Sequence, residues 1–89
     1  MNQDYTEVVL PDGSFARIRP ALVKDMVLFF KHTEPIDRMC ALAERLSTID
    51  GESVTHAQVM AMPYELAVPI FGAINRSIEA SLKTMNGIA

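Results

Sequence analysis

Glu7-Val8-Val9-Leu10-Pro11-Asp12-Gly13-Ser14-Phe15-Ala16-Arg17-Ile18-Arg19 is the stretch from which the fold can be read. Two alternating runs flank three turn residues. Proline presets φ for the first turn position, aspartate tolerates the second, and glycine accepts the left-handed third. The result is a hairpin loop closed by Leu10 and Ser14. It sets Val9 opposite Phe15, Val8 opposite Ala16, Glu7 opposite Arg17 and Thr6 opposite Ile18. Thr6, Val8, Leu10, Ala16 and Ile18 then share a buried face. Tyr5, Glu7, Val9, Phe15, Arg17 and Arg19 share the other, with Glu7 and Arg17 as a favourable cross-strand pair. An isolated hairpin is marginal in water, so this one must pack on helices or pair its edges with another chain.

Everything after the hairpin (5–19) reads as helix (21–85), giving an α+β fold in one domain, 1–89: an N-terminal β-hairpin followed by about four helices. Pro20 ends the second strand. Leu22, Met26, Phe29 and Phe30, with Val23 and Val27 alongside, recur at helical spacing over Ala21 to His32. Only Lys24, Asp25 and Lys31 are charged there, so this helix is apolar over most of its circumference. Thr33 is placed as an N-cap and Pro35 in a first turn of a second helix to Leu46. Its apolar face is Ile36, Met39, Cys40, Ala43 and Leu46. Asp50-Gly51 breaks the chain. Thr55 and Gln58 form a capping box for a short helix, His56 to Ala61. A last helix from Pro63 to about Thr84 carries the stripe Ala67, Ile70, Phe71, Ile74, Ile78, Leu82 and Met85. Pro69 inside it predicts a kink or a late start, and Asn86-Gly87 a C-cap.

The chain has 89 residues, 49% of them hydrophobic, and a net charge of −3. That apolar fraction is well above what disordered chains carry. A domain this small gains only a few kcal/mol from its own core, which makes self-association or a bound partner a natural source of stability. Lysines and arginines are scattered, so the basic footprint of a nucleic-acid binder is missing. A single cysteine, Cys40, fits a reducing cytoplasm. Met1-Asn2-Gln3-Asp4 lacks the basic and apolar parts of a signal peptide. The longest apolar run, Met26 to Phe30, is far short of the roughly 18 residues that span a bilayer. A soluble intracellular protein with no membrane contact is the expectation.

No catalytic constellation is visible. His32 and His56 lie on different segments without a cysteine or carboxylate at ligand spacing, and structural metal sites need about four ligands. Both are expected to be solvent-exposed, and neither a metal nor a cofactor is expected. Cys40 falls on an apolar helix face, where cysteines are buried and inert. Asp37, Glu44, Asp50, Glu52 and Glu65 are dispersed as on solvated faces. Of the six methionines, Met26, Met39 and Met60 sit at apolar positions that suit a core. Met62 and Met85 are candidates for an adaptable binding surface.

The order of blocks resembles the small tail assembly chaperones of tailed bacteriophages, in the Mu-like and P2-like group. Those proteins open with a strand-turn-strand, here Val8-Val9-Leu10-Pro11-Asp12-Gly13, and a basic residue before proline, here Ile18-Arg19-Pro20. A helix with an aspartate near its start follows, here Lys24-Asp25. Next come a helix ending in an Ala-x-x-Leu-like run before a Gly turn (Ala43 to Leu46, then Asp50-Gly51), a short capped helix, Val54 to Met60, and an acidic-aromatic junction, Tyr64-Glu65. A long apolar helix from Ala67 to Ile78 completes the match, which spans roughly Glu7 to Ile78. The junction here reads Met62-Pro63-Tyr64-Glu65, and Pro69 interrupts the last helix; both depart from the group. The segment Leu10 to Phe30, with Arg19-Pro20-Ala21-Leu22-Val23-Lys24, is also similar to baseplate-hub assembly proteins of T4-like phages.

The resemblance implies a non-enzymatic tail assembly chaperone of a phage or prophage. Such a protein coats the tape measure protein, recruits tail-tube subunits and acts in the host cytoplasm without entering the mature virion. A homo-oligomer with no nucleic-acid partner is expected. Partner-binding residues are placed at Val9 and Phe15 on the outer hairpin face, at Met62, and at Ile78, Leu82 and Met85 on the far half of the last helix. That helix is longer than a small core requires. An antitoxin-like or adaptor subunit acting through apolar helices is the alternative, followed by a small DNA-binding regulator.

Overall fold

A computed structural model describes the backbone over residues 5–88 and the side chains over 5–80. Strands β1 (Thr6–Val9) and β2 (Phe15–Ile18) are followed by helices α1 (Val23–Lys31) and α2 (Pro35–Leu46). Strands β3 (Ser47–Ile49) and β4 (Glu52–Ser53) come next, then helices α3 (His56–Met60) and α4 (Tyr64–Ile88). The fold is α+β. The antiparallel sheet has four strands in the order β1-β2-β3-β4.

The first hairpin has the expected register, from Thr6 opposite Ile18 to Val9 opposite Phe15. Gly13 adopts φ +89°, its amide donates to the Leu10 carbonyl at 2.9 Å, and the Leu10 amide donates to the Ser14 carbonyl at 2.8 Å. Asp12 stiffens the loop by accepting from the Ser14 amide at 2.9 Å and from its hydroxyl. These bonds hold its carboxyl below the usual carboxylate range. Glu7 and Arg17 form the cross-strand ion pair at 2.9 Å.

The helices do not simply follow this hairpin, as the sequence suggested. A second hairpin intervenes, and it covers the free edge of β2. Asp50 at φ +51° and Gly51 at φ +84° make a two-residue turn with both central residues left-handed, which matches the twist of the flanking strands. Ile49 pairs with Ala16 and Glu52. Asp50 joins the two hairpins: its amide donates to the Phe15 carbonyl at 2.7 Å, and its Oδ1 accepts the Phe15 amide at 2.9 Å.

One face of the sheet meets the helices. Ala16 and Ile18 are wholly buried there, against Leu42, Ala43 and Leu46 of α2 and Ala67, Ile70, Phe71, Ala73 and Ile74 of α4. α4 lies across β1 and β2, and α1 packs mainly on α2. Ser47 pairs with Ile18, which turns its side chain to this apolar face, and its buried Oγ has no hydrogen-bond partner.

Several boundaries differ from expectation. α1 begins two residues later than Ala21. The N-cap of α2 is Glu34 rather than Thr33, without a side-chain cap bond, while Pro35 does occupy the first turn. The Thr55–Gln58 capping box forms, with bonds of 2.8 and 3.0 Å. α4 starts at Tyr64 and continues through Pro69 as one helix. The carbonyl deprived of a donor by Pro69 belongs to Glu65, in an exposed first turn where water can serve it. The helix also passes Asn86-Gly87, the expected exit, and runs to Ile88.

Candidate protein-binding surface

α1 inverts the usual arrangement of a surface helix. Its one fully buried residue is the acid Asp25, 0% exposed, while Val23 is 83%, Val27 60% and Phe30 67% exposed. These three apolar residues recur at i, i+4 and i+7, so they form one stripe, and half-exposed Leu22 precedes it at the N-cap. Lys24 and Lys31, seven apart, run along one side of the stripe and join no ion pair among the described residues.

Asp25 explains how α1 stays seated while its apolar side faces out. The Leu22 amide donates to it at 2.7 Å, Arg19 grips it with two nitrogens at 2.9 and 3.2 Å, and Arg45 Nε donates at 2.7 Å. Burial alone would push this carboxyl up. The bonds from Arg19, Arg45 and the Leu22 amide outweigh that and hold it well below the usual carboxylate range. The cluster ties the end of β2, the first turn of α1 and the last turn of α2 together. Arg19, assigned to the outer hairpin face, is thereby committed to a buried carboxylate.

A shallow concavity beside the cluster is lined by Tyr5, Arg17, Arg19, Arg45, Thr48 and Ser53. Its guanidinium groups are already committed to Glu7 and Asp25. The other end of α1 is anchored by Arg38, whose Nε donates to the His32 carbonyl at 2.7 Å and whose guanidinium lies over the rings of Phe29 and Phe30 at 5.4 and 6.0 Å.

The histidines are a correction. Instead of lying apart in solvent, His32 and His56 are half-buried and stacked, with centroids 6.0 Å apart and planes inclined by 16°. His56 Nε2 is buried without a hydrogen bond, and its closest carboxylate contact, Asp37 Oδ1, is 3.7 Å away. Among the described residues no three His, Cys, Asp or Glu side chains converge on a position where a metal could sit. Cys40 is buried, with its sulfur 3.5 Å from that of Met60. Burial and then the charge of Asp37 push its thiol up, opposite to what a nucleophile needs.

Of the residues singled out as partner-binding, Val9 (65% exposed) and Phe15 (40%) do sit on the open sheet face. Met62 and Ile78 are half-buried and pack against the core, and among the described residues the exposed methionine is Met60, which the sequence had placed in the core. The side chains of Leu82 and Met85 lie outside the described residues. The α1 stripe was missed as a surface because periodicity marks an apolar face without saying whether anything covers it. Tyr64 and Val68, exposed at i and i+4 of α4, were missed for the same reason. Among the described residues no helix is long and apolar enough to cross a membrane. Comparison with protein-family models, with curated proteins and with solved structures gives no match.

Proposed function

We propose that this chain is a non-enzymatic assembly chaperone of a tailed phage or prophage, which binds the tape measure protein through the α1 stripe and helps recruit tail-tube subunits. The observation that carries this reading is the row Val23, Val27 and Phe30, held outward by a helix whose anchorage comes from Asp25. Monomeric domains seldom leave such a row uncovered unless something binds it. A tape measure protein is a long helix with apolar stripes, and a helix laid beside α1 would cover both surfaces. Lys24 and Lys31 favour a client with acidic residues flanking its stripe. The block order, which resembles that of the tail chaperones, supports the same reading.

Co-expression with the tape measure protein of the phage that carries the gene tests it. The chain should keep the client soluble and co-purify with it. Val27→Asp with Phe30→Asp should weaken that complex by roughly a hundredfold, the scale of losing two central apolar anchors. Co-purification with a toxin in place of a tail protein would establish the antitoxin-like alternative. Undiminished client binding by the double variant would move the site away from α1.

A further inference from the structure

Among the described residues β1 is an edge of the sheet, with no strand paired on its outer side. The Leu10 amide donates to Ser14, so in this register the groups of Thr6 and Val8 face β2. On β2, the odd-numbered residues face the other way: the Phe15 carbonyl accepts from Asp50, and the Arg19 amide donates to Leu46. By the same alternation, the amides and carbonyls of Glu7 and Val9 point outward from β1. Among the described residues nothing pairs with them. The inner face agrees. Ala16 and Ile18 on β2 are 0% exposed, while Thr6 and Val8 on β1 are only half-buried, as expected where a sheet stops short.

We infer that the occupant of this edge is a second copy of the chain, with the two β1 strands antiparallel about a two-fold axis at Val8. The alternation and the charges select this register. Pairing that uses the outward groups can centre on residue 7, 8 or 9. Centring on Glu7 puts two carboxylates directly opposite each other, which is destabilising. Centring on Val9 sets Glu7 against Pro11, which has no amide to donate and lies in the turn. Centring on Val8 sets Glu7 of each copy against Val9 of the other, so all four outward groups of each copy are bonded. Each Glu7 keeps its own Arg17.

On the inner face the two Val8 side chains meet at the close, non-hydrogen-bonded position, where β-branched pairs contribute most. On the outer face Val9 is covered by the partner's Glu7 stem. Two four-stranded sheets become one of eight strands, and the dimer closes on itself. A pairing of four-residue strands lies at the small end of interface sizes, so the association is weak and concentration-dependent. The inference stands on the β1 edge and is independent of the client reading for α1.

Light scattering and amide exchange between about 10 µM and about 1 mM, the range of weak association, test it on the full chain. The molar mass should rise from 9.9 kDa toward twice that value, and protection of the Glu7 and Val9 amides should rise with it. Val9→Pro removes one outward donor and forbids pairing, yet proline is tolerated where the amide faces solvent on an edge. It should remain at 9.9 kDa with an unchanged circular dichroism spectrum, whereas Val9→Thr should associate like the wild type. If Val9→Pro fails to fold, exchange in the wild type decides alone. A chain monomeric throughout, growth beyond a dimer, or Glu7 and Val9 amides exchanging at one rate at every concentration would overturn the inference. Protection that appears only when a client is added would assign the edge to the client.

Discussion

α1 and the first half of α4 are built from similar residues and meet opposite fates. On α4, Ala67, Ile70, Phe71, Ala73 and Ile74 are buried between the sheet and α2. On α1, Val23, Val27 and Phe30 face solvent, and the helix turns its acid inward. Apolar content marks both as helices that want a neighbour. α4 buries its stripe within this chain, whereas α1 packs on α2 and leaves Val23, Val27 and Phe30 exposed. The difference lies in how each is held: α4 by apolar area, α1 by the half-buried Phe29 and Arg38 at one end and, at the other, by a carboxylate that collects donors from Arg19, α2 and its own N-cap. A helix anchored by hydrogen bonds keeps its apolar side free for another molecule.

The contrast breaks most visibly if the α4 core is not where stability resides. Ile74 is wholly buried, so Ile74→Ala should cost about 4 kcal/mol, combining lost transfer energy and an unfilled cavity. For a domain of this size that is a large part of the total. Chemical denaturation would measure it. A loss under about 1 kcal/mol would mean that this site collapses freely and that the core is centred elsewhere.

Removing the anchor of α1 should come next. Asp25→Ala should cost about 3 kcal/mol, the low end for breaking a buried ion pair, since Arg19 and Arg45 are each 31% exposed and regain water. pH sharpens the assignment. The Asp25 carboxyl is held below its unfolded value of about 3.9, so the unfolded state binds the proton first as pH falls. Its contribution is complete above that value and is lost progressively on acidification. Wild-type stability should therefore fall below about pH 4, and Asp25→Ala should show a shallower fall. Some slope should remain, because the Asp12 carboxyl is lowered too. Parallel pH profiles for the two proteins would show that Asp25 is not the group responsible.

How legible each region was follows from how local its determinants are. Pro11-Asp12-Gly13 sets loop length and register within a few residues, so the first hairpin could be read whole. The second hairpin could not, because α2 passes at Leu46-Ser47 straight into β3 without punctuation and β4 has only two residues. Its one strong signal is Asp50-Gly51 behind Ser47-Thr48-Ile49, a two-residue left-handed turn that reads simply as a break. Asp25 was read as an ordinary helix charge because two of its three partners, the Leu22 amide and Arg19, look like routine helix-start neighbours, and the third, Arg45, is 20 residues away. Nothing local distinguishes a buried acid from a solvated one. The same holds for the two histidines, one at the end of α1 and one at the start of α3, which come together because both helices pack on α2. Of the exposed apolar residues, Val9 and Phe15 were legible from hairpin parity. The α1 stripe was legible as apolar and not as uncovered, since coverage is a property of the rest of the fold.

The smallest expected effect on stability tests the α1 side of the contrast most directly. Val23→Ser, Val27→Ser and Phe30→Ser should each change the free energy of unfolding by no more than about 0.5 kcal/mol, the range for surface substitutions away from special features. Phe30 should lie at the upper end, because its ring also meets Phe29 edge-on at 5.1 Å and lies under the Arg38 guanidinium. Val23, at 83% exposure, should lie nearest zero. Replacing an exposed valine also lowers β-branching in the helix, a gain of a few tenths at most, which serine largely cancels through its own weak helix propensity. Thermal unfolding of the three variants beside Ile74→Ala would place the two helices on one scale. Losses of about 2 kcal/mol or more at Val23 and Val27 would mean that these side chains are covered in solution by the chain or by a second copy, and that α1 is core after all.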